Sequence, residues 1–170
     1  MDETQNHPET IDDWERPLSG LLGELSATQS ELLEVLNKKR GFLAKSDQEG
    51  LLSLQPEEEK LAERLAACQQ RRQELLAMAN EQGLPDRDLR TLAGALPEPA
   101  RKTLRPAIRD AQQKARLVQH QSLTNWVLVQ RTLLHLSQMI EIVATGGEKP
   151  PTYQKSGQCA AGGALMDRAV

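Results

Sequence analysis

The sequence predicts an all-α protein, an elongated antiparallel three-helix bundle or coiled coil with flexible N- and C-terminal segments. Three observations carry that expectation. From Leu104 to Val143 an apolar stripe recurs at alternating steps of four and three: Leu104, Ile108, Ala111, Ala115, Val118, Ser122, Asn125, Val129, Thr132, Leu136, Met139 and Val143. Nine of these twelve positions are apolar, which makes a sustained heptad seam. Leu, Ala, Glu, Gln, Lys and Arg dominate the chain, all good helix formers, and no alternating run of β-branched residues suggests a strand. Finally, aromatic residues make up only 2% of the chain (Trp14, Phe42, Trp126 and Tyr153), and a bundle can be filled by aliphatic side chains without them.

Residues 1–16 carry six acids against Arg16, a local balance of −5, and read as a disordered acidic arm whose Trp14 is placed to dock on a bundle. Pro17 suits the first position of a helix, where its missing N–H costs nothing. From there Leu18, Leu21, Leu25, Thr28, Leu32, Val35, Lys39 and Phe42 form a seam, and Glu34 and Lys38 form an i,i+4 pair on its outer face. Ser46-Asp47 closes this helix and opens the next. Residues 47–54 read as a short helical stretch, with Pro56 restarting a helix whose first turn holds Glu57, Glu58 and Glu59.

Leu61, Leu65, Cys68, Leu75 and Ala79 continue a stripe interrupted by Arg72, and Gly83 with Pro85 stops it. A connector with room for a short helix between Asp86 and Leu96 leads to the third long helix, expected from about Ala107 to Ala144. Pro106 either starts that helix or kinks an earlier beginning near Pro99. The long helices are thus expected near 17–45, 56–82 and 107–144, within a bundle spanning 17–145, and residues 146–170 form a Gly/Ala-rich tail without period.

The net charge of −3 conceals a polarity along the chain. Residues 101–116 hold six bases against Asp110, a local balance of +5. Such a segment suits nucleic acid or an acidic surface. No aromatic residue is interleaved to stack bases, so a solvated helix face turned toward acidic helices is the better reading.

Chemistry is scarce. His7, His120 and His135 fit no ligand spacing, Cys68 and Cys159 lie far apart, and no phosphate-binding glycine loop or serine-nucleophile motif is present. The chain reads as a non-enzyme without metal or other cofactor. It carries neither a signal-peptide pattern nor an apolar run of membrane-spanning length, and the expected location is cytoplasmic. Asn125 remains, a polar residue in the middle of the seam that suits a register-setting role. Tyr153 remains too, the sole tyrosine, in an otherwise featureless tail.

With three helices and a tail laid out, further motifs fall into order. The first helix reads Glu31-Leu32-Leu33-Glu34-Val35-Leu36 through Lys39-Arg40 and Leu43 to Ser46-Asp47. The second carries Glu59-Lys60-Leu61 and Arg71-Arg72-Gln73-Glu74-Leu75-Leu76. The last carries Asn125 and Leu133-Leu134, and the tail has Tyr153 four residues before Gly157. In order and spacing, over roughly residues 18–160, the chain resembles the FlgN-type flagellar export chaperones.

The resemblance implies a protein that binds the C-terminal helices of flagellar hook–filament junction (hook-associated) proteins, prevents early assembly and delivers them to the membrane export gate. On that footing Leu133, Leu136, Ile140 and Val143 are the expected cargo-binding residues, and Tyr153 the expected docking residue for the gate's cytoplasmic domain. A monomer or weak homodimer is expected. Rival readings are a structural coiled-coil homodimer or scaffold, and a helical nucleic-acid-associated protein using residues 101–116.

Overall fold

A computed structural model describes residues 11–145. Among these residues there are four α-helices, a 3-10 turn and no strand. The turn, Ile11–Trp14, runs directly into α1, Glu15–Lys45; α2 spans Gln48–Glu81, α3 Leu89–Ala95 and α4 Glu98–Thr145. The chain divides into two compact units, residues 1–131 and 132–170, and α4 contributes to both.

In the first unit α1 and α2 form an antiparallel hairpin. Lys39 Nζ meets Glu58 at 2.8 Å, Lys38 reaches Glu57 at 3.7 Å, and Arg64 pairs with Glu31 further down the hairpin. Lys38 therefore finds its carboxylate across the hairpin rather than at Glu34. The connection is two residues long because both ends are capped by its own atoms. Ser46 takes the left-handed conformation (φ 55°, ψ 33°), its N–H donating to Leu43 O and the Asp47 N–H to Phe42 O. The Asp47 side chain then accepts from the Gly50 N–H at 2.9 Å, opening α2. The end of α2 repeats this closure with Gly83 (φ 72°), which donates to Asn80 O while Leu84 donates to Ala79 O.

The two interior prolines come out differently against expectation. Pro56 does not restart a helix, since α2 runs through it from Gln48, whereas of the two alternatives for Pro106 the earlier beginning near Pro99 holds, since Pro106 lies inside α4, which begins at Glu98. The physical reason is shared. Each proline is exposed, and so is the residue four before it (Leu52 and Lys102), so the carbonyl deprived of a helical donor faces water. Pro99 lies in the first turn of α4, where no donor is required. Against expectation Pro17 does not open α1 but is its third residue, buried and still in the first turn, because the Ile11–Trp14 turn runs straight into the helix.

The core of the first unit has two parts. The larger gathers Trp14, Leu18, Leu21 and Leu22 with Cys68, Leu75 and Ala79 of α2, Leu92 and Ala93 of α3, and Leu104, Ile108 and Ala111 of α4. Trp14 is fully buried, and its indole N–H donates to Gln82 Oε1 at 3.0 Å. The end of the acidic segment is thus a 3-10 turn, Ile11–Trp14, whose Trp14 packs into the bundle. The smaller part, Val35, Leu54 and Leu61 with Leu32 and Phe42, belongs to the hairpin alone. Short α3 is held by a reciprocal cap: the Asp88 carboxylate accepts from the Thr91 N–H at 2.7 Å, and Thr91 Oγ1 accepts from the Asp88 N–H at 3.2 Å. The bond from the Thr91 N–H, above all, holds the Asp88 carboxyl below its ordinary range.

Candidate functional site

The face of α4 that meets α1 starts apolar and becomes polar. Leu104, Ile108 and Ala111 are buried, after which Ala115 and Ser122 of the expected seam are exposed. Lys114 and Gln121, one residue earlier in each case, are half-buried instead. The shift follows from what the neighbours offer. Lys114 lays its stem along the interface, and its ammonium reaches Ser26 Oγ at 2.6 Å and Asp110 at 3.0 Å. Ser26 in turn donates to Asp110 at 2.8 Å. The Ser26 hydroxyl first, and then Lys114, hold the Asp110 carboxyl below its usual range.

Asn125 is buried, and its Nδ2 donates to the Leu36 carbonyl at 2.9 Å. These bonds fix the direction of α4 along α1: residues 110–114 lie beside Ser26 and residue 125 beside Leu36, so the two helices run parallel. Between those points Gln29 and Gln121 each bury a side-chain oxygen with no hydrogen-bond partner among the described residues. The seam joining α4 to α1 is accordingly apolar at its start and polar toward Asn125.

In the second unit every described residue, 132–145, is exposed. Leu133 is 53% exposed, Leu136 49%, Ile140 68% and Val143 83%. Leu134, Met139 and Ile142 are uncovered as well. Thr132, Leu136, Met139 and Val143 continue the heptad stripe of α4, and here no other described element covers it. So many large apolar groups on one stretch of helix form the kind of surface a partner covers. Tyr153 lies outside the described residues. No helix among the described residues is long and apolar enough to cross a membrane.

Sequence reasoning missed two features. In the first unit, Leu123 and Trp126 are exposed on α4 beside buried Asn125; Trp126 sits one residue off the seam, which is the signal that could have found it. The other is a groove of about 570 Å³ between α3 and α4. Its floor includes Ala93 and Ile108, and its walls carry Arg90, Arg101, Lys102, Arg105 and Arg109. The bases of 101–116 therefore split: Lys114 joins the α1 seam, whereas four of them gather with Arg90 of α3. Arg90 is distant in sequence, and only the packing of α3 brings it there.

A helical hairpin carrying a third helix that ends in uncovered apolar residues defines a partner-binding module. A family model described as FlgN protein matches residues 16–161, and the chain belongs to that family, the flagellar export chaperones. No curated protein and no solved structure matches the chain.

Proposed function

We propose that this chaperone binds the amphipathic C-terminal helices of hook–filament junction proteins through Leu133, Leu136, Ile140 and Val143, and hands them to the export gate from the cytoplasm. The observation that carries the reading is the exposure of all four side chains on a helix that is uncovered from residue 132 onward. An amphipathic helix is the natural complement, since it covers such a stripe with its own apolar face. Burying each large aliphatic anchor contributes about 1.5–3 kcal/mol, and micromolar binding requires about 8 kcal/mol net. Four anchors suffice once ordering costs are met, at an affinity that still permits release.

Leu136→Asp combined with Ile140→Asp tests it. Both positions are exposed, so the helical circular-dichroism signal is expected to persist while co-purification of the junction protein is lost. Cargo binding that survives the double substitution moves the site elsewhere.

The handover half rests on Tyr153. An aromatic side chain tethered beside the cargo site reaches a second partner without moving the bundle. Tyr153→Ala is expected to leave cargo affinity unchanged, weaken binding to the gate's cytoplasmic domain and reduce motility. Equal gate binding by both proteins refutes this role. A second reading, a scaffold pairing two copies through the same face, is favoured by the same exposure. Sedimentation of the cargo-free chain distinguishes them, because a scaffold dimer would dissociate in the Asp double variant.

A further inference from the structure

The basic groove between α3 and α4 plays no part in the reading above. Five cations line it, and the one carboxylate on its wall, Glu98, is engaged with Lys102 at 2.8 Å. Arg90, Arg101, Arg105 and Arg109 have no carboxylate partner among the described residues, although Asp110 stands next to Arg109 in sequence. Clustered cations of one sign repel one another, and a planar guanidinium is built to take a carboxylate on two parallel N–H bonds.

The same chain carries a complement. Residues 1–10 hold Asp2, Glu3 and Glu9 and no Lys or Arg. The segment leaves the fold at a turn that shares the larger core with the groove: Trp14 belongs to the hydrophobic cluster that also contains Ala93 and Ile108, two residues of the groove's floor. Ten residues span up to about 35 Å when extended, ample to run from that root along the groove. Tethering supplies an effective concentration in the millimolar range, so weak ion pairs are enough.

We infer that the acidic N-terminal segment, residues 1–10, docks in cis into the groove, its Asp2, Glu3 and Glu9 carboxylates on the guanidiniums of Arg90, Arg101, Arg105 and Arg109. In the free chain this occupancy withholds the four arginines from other acidic surfaces.

The test is paramagnetic relaxation on the full chain, with a nitroxide attached at Asn6→Cys in a Cys159→Ser background; Cys68 is buried and stays unlabelled. The label is expected to broaden the amides of residues 101–109. That broadening should drop about threefold or more in roughly 0.5 M salt, where the screening length shrinks to a few ångströms. Asp2→Asn/Glu3→Gln/Glu9→Gln, which alters nothing in the helices, should give the same drop, as should Arg101→Glu/Arg105→Glu. Broadening indifferent to salt and to both sets of substitutions overturns the inference. So does broadening that appears at full strength when labelled chain is mixed with isotopically marked, unlabelled chain, which would place the arm on a second copy.

Discussion

Asn125 shows how one residue sets the terms of an interface. Its amide is buried against α1, and the Leu36 carbonyl it binds already serves the helical ladder of α1. Asn125→Ala therefore removes one bond without orphaning its acceptor, and a loss of about 0.5–1.5 kcal/mol is expected in urea unfolding. Asn125→Leu is the sharper experiment. It should match or exceed the parent in stability while relaxing the single register of α4 on α1, seen as doubled amide resonances around residues 118–128. A single set of resonances would show that the asparagine does not choose the register. Cys68 is the opposite kind of residue: burial pushes its thiol pKa up, so it packs as a small apolar group rather than offering a thiolate.

At the scale of the element, the α1–α2 turn holds the clearest contrast. Ser46 sits in a left-handed conformation that costs a side chain energy, and Ser46→Gly is expected to stabilise the hairpin by roughly 0.5–1 kcal/mol. Gly50 invites the reverse substitution, because alanine normally gains about 1 kcal/mol in a helix. Here a methyl group would stand 2.5 Å from the Phe42 ring and 2.7 Å from the Asp47 carboxylate that caps α2. Gly50→Ala should therefore lower the melting temperature, whereas Gly41→Ala, with open space around it, should raise it. A stabilising Gly50→Ala would mean that the Phe42 ring yields freely. The Ser46-Asp47 junction and the Gly83 stop were both legible, since capping is written in residues adjacent along the chain. Sequence alone misreads Pro56 and leaves Pro106 open because the effect of each depends on which side of the helix meets water.

For the whole molecule, the gradient along α4 is the governing feature. Its start shares a core with α1, α2 and α3; by Asn125 the covered face is polar; from residue 132 to 145 every residue is exposed. Local opening follows buried apolar contacts, so amides of residues 132–145 are expected to exchange well before those of Leu104 to Ala111. Bound cargo should slow the former and leave the latter unchanged. Uniform protection along α4 in the free chain would contradict the gradient.

The sequence by itself determined that the chain is helical, that turns fall at Ser46-Asp47 and at Gly83, which family it belongs to and which apolar residues lie near the end of the last helix. All of these rest on periodicity, on capping residues adjacent in the chain, or on motif order. Only the tertiary structure decided which stretch of a continuous apolar pattern is covered. A seam reads the same whether its partner is present or not, and burial depends on the length and packing of other elements. It also decided that Arg90 of α3 joins bases eleven or more residues away, and that Lys114 and Gln121 displace Ala115 and Ser122 at the interface. Those outcomes depend on side chains reaching groups on another helix, and no spacing along the chain encodes that reach.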